Sequence, residues 1–214
     1  MIYNIKAIPT TYAGVQFRSR LEARWAAFFD ICGWAWDYEP FDLDGWAPDF
    51  MLKGAQKSLV EVKTIEFCGP EKQLYRQALA GADKAFDISM PRANGAPPQY
   101  ETMVVGNGPF KSEQSQQWSL GVITSPKKAW DEIEAEIFAE HANDATFGSD
   151  IADLYAGKSV KFDYAARWGS YRYRIGGLHD GDKHLTPIAD DTPLSMWREA
   201  GNIVQWRGPK RRAA

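Results

Sequence analysis

The chain has 214 residues, a formal net charge of −3 and nine tryptophans. That length carries one full domain core plus an extension, or two small domains, and the aromatic content excludes disorder along the whole chain. The acidic balance argues against a protein that only coats nucleic acid, while leaving room for an enzyme that meets DNA through a local patch.

Cys32 and Cys68 lie in no CxxC pattern, so no disulfide framework is expected and a reducing cytoplasm fits best. The stretch MIYNIKAIPTTYAG lacks the charged start and apolar run of a signal peptide. No segment is apolar for long enough to cross a bilayer, so no membrane partner is expected. No organic cofactor is expected either.

The first predicted element is a helix in SRLEARWAAFFDICG. Leu21, Trp25, Phe28, Phe29 and Cys32 fall at i, i+4, i+7, i+8 and i+11, one apolar stripe at helical period. Ser19 with Glu22 makes a capping-box start, and Gly33 a stop. WAWDYEP reads as an aromatic strand ended by Pro40, and FDLDG as a turn. APDFML and SLVEVKTI read as two strands joined by the polar turn KGAQK. EKQLYRQALAGADKAF reads as a second helix. PRANGAPPQ is a loop, and ETMVVG and WSLGVIT are further strands. This order predicts a mixed sheet with a hairpin and helices on its faces, in the α/β (α+β) class.

Beyond Pro126 the pattern is weaker. KKAWDEIEAEIFAEH reads as a helix with an acidic face. DYAARWGSYRYRIGGLHDGDKH reads as a hairpin with a glycine-rich tip, and TPLSMWREAGN as a short helix with Thr192 as cap and Pro193 first. The basic tail QWRGPKRRAA is expected to fray. The expected organisation is a core over 1–125 and an accessory α+β extension over 126–214.

The chemistry centres on PDFMLKGAQKSLVEVK. Along a strand, Leu59, Glu61 and Lys63 share one face, and Val60, Val62 and Thr64 share the other, which reads as the packed one. Asp49 points opposite to Pro48 and Phe50. Antiparallel pairing with a tight turn brings Asp49 and Glu61 to one end of the sheet. Two convergent carboxylates raise each other's proton affinity unless a cation lies between them. Mg²⁺ or Mn²⁺ meets that need, with the Val62 carbonyl as a further ligand. Such a site suits phosphodiester hydrolysis, with Lys63 beside the attacking water or the phosphate.

Plainer roles stand beside these. Glu22 closes a capping box without any chemistry, Asp49 is an ordinary strand-edge residue, and Glu61 with Lys63 is a solvated strand face. Arg18, Arg20 and Arg24 contact phosphates or simply line a solvated helix face. Gln77 and Lys84 on the second helix line the site or only pack. His141, His179 and His184 form no metal pattern, and the DG in HDGDKH signals a turn. YRYRIGG is able to stack on nucleic acid, with an amphipathic hairpin as the plainer reading.

The order PD, a spacer, then (D/E)xK is the PD-(D/E)xK nuclease signature. FRSRLEARW, then WDYEP, PDF and VEVK, resembles the phage endonuclease I group of Holliday-junction-resolving enzymes. It is also similar to transposon-end endonucleases and to phage proteins with the same core. The resemblance runs from Phe17 to Lys63. It implies a restriction-endonuclease-like αβββαβ core and a metal-dependent DNA endonuclease, phage-encoded and working in the host cytoplasm. Glu22, Asp49, Glu61 and Lys63 inherit the catalytic roles, with Glu22, Asp49, Glu61 and Val62 around the metal. Arg18, Arg20, Arg24 and Lys84 are the nucleic-acid-binding candidates. Branched or junction DNA is a candidate substrate and a homodimer a candidate assembly. The chain departs from the group in its short segment before PDF and in Thr64, where a glycine often follows the lysine. The rival expectation is a catalytically silent nuclease-fold protein that binds DNA or a host defence protein. A nuclease for RNA or single strands is a third.

Overall fold

A computed structural model describes residues 7–42, 46–53, 57–68, 100–111, 118–124, 149–156, 162–166, 186–188 and 190–205. It opens with an antiparallel hairpin of β1 (Thr10–Tyr12) and β2 (Val15–Phe17), which the sequence pattern did not announce. The two loop residues, Ala13 and Gly14, have φ of 48° and 81°. That double left-handed turn matches the twist of a hairpin and favours Asn-Gly. Alanine carries a steric penalty there, so Ala13→Asn is expected to add about 0.5 kcal/mol of stability. Urea unfolding of the two proteins checks this, and an unchanged or lower midpoint would refute it.

The helix α1 (Arg20–Ile31) forms where its apolar period predicts, burying Trp25, Phe28 and Phe29. Ser19 caps it as expected, its hydroxyl accepting from the Glu22 amide at 3.1 Å. The stop is a full Schellman motif. Gly33 at φ 74° donates to the Asp30 carbonyl and Trp34 to that of Phe29, both at 2.9 Å. The Trp34 and Phe29 rings, 6.0 Å apart, supply its apolar contact.

The strands β3 (Ala35–Tyr38), β4 (Phe50–Lys53) and β5 (Lys57–Val62) run antiparallel in succession. The next strand, β6 (Tyr100–Lys111), joins β5 in parallel. A parallel neighbour requires a crossover. The predicted helix at 71–86 falls in that crossover, outside the described residues, as do Gln77 and Lys84. Two more strands, β7 (Trp118–Thr124) and β8 (Ser149–Ala156), return antiparallel, and β9 (Phe162–Ala166) and β10 (Thr186–Pro187) both pair with β8. The result is a mixed α+β structure with one mixed sheet, ordered β10-β8-β7-β6-β5-β4-β3.

The second described helix, α2 (Thr192–Ile203), begins one residue earlier than predicted, with Asp191 rather than Thr192 at the cap position. The Asp190 carboxylate takes the Thr192 amide at 2.9 Å, so Thr192 enters the first turn. Its buried Met196, Trp197 and Ala200 belong to one cluster with Trp25, Phe28, Phe50, Val60 and Met103. Val60 and the partly buried Val62 therefore lie on the packed face, as read from the alternation. On the other face Met51, Leu59, Val104 and Val122 are also buried. No described helix is long and apolar enough to cross a membrane. The predicted acidic helix after Pro126, the three histidines, YRYRIGG and the basic tail lie outside the described residues.

Candidate functional site

The β-hairpin register places the acids. Phe50 pairs with Val60 across β4 and β5. Extended by one residue, that register carries Asp49 to the level of Glu61. Phe50 and Val60 belong to the core cluster, so alternation turns Asp49 and Glu61 to the other face. Both acids are nevertheless buried, Asp49 at 4% and Glu61 at 8% exposure. Glu22 arrives from the first turn of α1 and is buried as well.

Each carboxylate is held by named partners. Asp49 Oδ2 accepts the Val62 amide at 2.7 Å, and Oδ1 accepts from the Arg18 guanidinium at 2.5 Å. Glu61 Oε1 is paired with the Lys63 ammonium at 2.6 Å, while Oε2 accepts the Trp46 indole N–H at 2.8 Å. Glu22 Oε1 accepts the Ser19 hydroxyl at 2.7 Å, and Oε2 accepts the Tyr38 hydroxyl at 2.6 Å. Burial, then the bond to Glu22, pushes the Tyr38 phenol up to about 12, so it remains a donor.

Asp49 is the strained member. Burial first, then the charge of Glu61 and also that of Glu22, pushes its carboxyl up to about 7, against the Val62 amide and Arg18, which pull it down. Asp49 therefore feels both Glu61 and Glu22. Glu22 stands at the helix start, bonded to the Ser19 hydroxyl, and its charge reaches Asp49.

The lysine strand is anchored beyond its last paired residue. The Lys63 amide donates to the Val105 carbonyl at 2.9 Å, and the Asn107 amide to the Ile65 carbonyl at 2.8 Å. Lys63 thus stands on backbone tied to β6, with its ammonium half-exposed above Glu61.

Of Arg18, Arg20 and Arg24, only Arg18 is brought to the acids, where it also reaches Glu39 at 2.9 Å. Arg20 is exposed at the helix start. Arg24 is turned toward α2: its guanidinium lies 4.0 Å from the centre of the Trp197 ring and donates to the Trp197 carbonyl at 2.8 Å. That is a clasp between helices rather than a phosphate contact. Val62, whose carbonyl the sequence offers as a ligand, is tied to the site through its amide instead. Tyr38, Glu39 and Trp46 complete the site and were not singled out by sequence; the WDYEP run carries the first two.

The donor set suits a hard divalent ion. It is all carboxylate oxygen, and Asp49 carries more negative neighbourhood than its partners neutralise. Among the described residues no three His, Cys, Asp or Glu side chains gather tightly enough to hold an ion as they stand. No family model matches the chain, and neither a curated protein nor a solved structure does.

Proposed function

We propose that the chain is a metal-dependent endonuclease hydrolysing DNA phosphodiester bonds, built on a restriction-endonuclease-like αβββαβ core. The observation that carries the reading is the buried Asp49 carboxyl, pushed up to about 7 by burial and by the charges of Glu61 and Glu22, with Lys63 paired to Glu61. A buried carboxylate whose proton affinity is raised by burial and by specific charged neighbours marks a functional-site candidate.

Asp49 and Glu61 would hold Mg²⁺ or Mn²⁺, which would polarise the phosphate and acidify a water, with Glu22 assisting from α1. Trp46 fixes the orientation of Glu61, and the Val62 amide that of Asp49. Lys63 has the exposure to meet solvent and the position to orient the attacking water or to stabilise charge on the phosphate. Arg18, paired to Asp49, and the exposed Arg20 would be the arginines to meet a DNA backbone. The sequence resemblance supports a phage source, host-cytoplasmic action and branched DNA as one substrate, with a homodimer as one assembly.

A second reading is favoured by one observation. Every oxygen of the three carboxylates already has a protein partner. A nuclease-fold protein that binds DNA or a host defence protein without cutting would tolerate that arrangement. Nicking of supercoiled plasmid with Mg²⁺ or Mn²⁺ separates the two. The enzyme reading expects nicking by the wild type, loss with chelator, and loss in Lys63→Ala. Silence of the wild type on plasmid, cruciform and single-stranded DNA would favour the binding reading.

A further inference from the structure

Among the described residues Arg18 is the cation on Asp49, and its place raises a geometric problem for any metal. Asp49 has two oxygens. Oδ2 is taken by the Val62 amide, which belongs to the packed end of β5. Only Oδ1 faces a partner that is free to move, because the Arg18 side chain is 58% exposed while that of Asp49 is 5% exposed. An ion approaching Asp49 from solvent meets the oxygen that Arg18 holds.

The guanidinium has a second seat. Its Nε pairs with Glu39 at 2.9 Å, so one planar fork bridges two acids. Glu39 is set for this by its backbone. It lies at φ 43°, a left-handed conformation costly for a residue other than glycine, and its amide donates to the Asp49 carbonyl at 2.9 Å. Strain of that kind persists where surrounding structure holds it, and it gathers at functional sites. Here it puts a carboxylate beside Arg18 and ties its backbone to the residue Arg18 must leave.

We propose that Arg18 is the built-in counter-cation of the free site, displaced from Asp49 by a divalent ion and retained beside it by Glu39. This rests on the metal reading above and adds to it a role for two residues. In the free protein Arg18 offsets the charge of a buried acid. Once displaced, its planar fork stays near the site with donors turned free for a phosphate oxygen. Glu39 is a positioning residue: it acts on the ion only through Arg18.

Calorimetric titration of Mn²⁺ into the metal-free full chain tests this without any cleavage, with each variant checked for folding by thermal melting. Arg18→Gln is expected to bind Mn²⁺ about tenfold more tightly than wild type, because the competitor is gone. Glu39→Gln is expected to bind about threefold more weakly, because displaced Arg18 loses its seat. In the Arg18→Gln background that Glu39 effect should vanish. Arg18→Lys keeps the charge but loses the bridge, and covers the case in which glutamine unfolds the protein; it should bind about threefold more tightly than wild type. Equal or weaker binding by both Arg18 variants would overturn the exchange. A Glu39 effect that persists in the double variant would overturn its positioning role, leaving a plain negative charge. Absence of Mn²⁺ binding in wild type and Arg18→Gln alike would overturn the metal reading itself, and the exchange with it.

Discussion

Asp49→Asn is expected to abolish metal-dependent cleavage while making the metal-free protein more stable near pH 8. The two effects share a cause. The folded pKa of Asp49, about 7, lies above its ordinary value of 3.8, because the site is buried and shared with Glu61 and Glu22. Between those values the folded state binds a proton that the unfolded chain has lost. Stability from this group is therefore fully present below about pH 4 and is lost as pH rises through about 7. The full shift corresponds to an upper bound of about 4 kcal/mol. Asparagine keeps an acceptor for the Val62 amide and removes the charge. It also weakens the contact to Arg18, an exposed partner, which takes back a fraction. A net gain of about 2 kcal/mol is expected near pH 8, or several degrees in melting temperature, shrinking toward pH 4. Melting curves at both pH values with and without Mn²⁺ check it. Mn²⁺ should stabilise the wild type, more strongly as pH rises, and leave Asp49→Asn unmoved. A variant less stable than wild type near pH 8, or a gain independent of pH, would mean that Asp49 carries no strain for an ion to relieve.

Much of this arrangement was legible in the sequence, and the reason is locality. The α1 stripe, its serine cap and its glycine stop are set by residues within a few positions of one another, and all three form as read. The hairpin that brings Asp49 toward Glu61 is likewise local, because register between adjacent strands follows from alternation and a short turn. The expected mixed sheet and the packed Val60 face follow from the same alternation.

What was not legible depends on distance or on unusual backbone. The β1–β2 hairpin was missed because Ala13-Gly14 lacks the Asn-Gly signature of its turn. SDIADLYA was left unassigned because its acids obscure a strand pattern, yet β8 pairs with β7, β9 and β10. Arg24 reads as a phosphate contact or a solvated helix face because its partner, Trp197, is far along the chain. Trp46 meets Glu61 only once β4 and β5 have paired, and Glu39 reaches Arg18 through a left-handed φ that a residue before Pro40 rarely adopts. The catalytic candidates announce themselves by a motif; the residues that orient them do not.

Gly106→Ala carries the largest structural effect expected near the site, and it tests whether Lys63 depends on the neighbouring strand β6. Gly106 follows Val105, the residue whose carbonyl accepts the Lys63 amide. Its own carbonyl accepts the Trp25 indole N–H at 2.9 Å, joining α1 to β6. A Cβ at 106 would run into the Ile65 carbonyl and meet the Phe67 ring at 3.1 Å. The φ of Gly106 is not left-handed, so the objection to a side chain is lack of space alone. The obstructing atom is backbone and cannot rotate away. The stretch from Lys63 to Phe67 must therefore move off β6, or β6 must shift against α1. Overpacking of this sort costs about 3 kcal/mol, a fall of roughly 6–12 °C in melting temperature for a chain of this size. The movement falls on the residues that hold Lys63, so cleavage should drop further than the unfolded fraction explains, even at temperatures where the variant is fully folded. Met196→Ala is the matched control. It empties a buried place in α2 rather than on the lysine strand, at a similar cost in stability. Similar destabilisation with cleavage retained in Met196→Ala and lost in Gly106→Ala would place the functional dependence on the Lys63 backbone. Equal loss of activity in the two would mean that overall stability, and not the position of Lys63, limits the reaction.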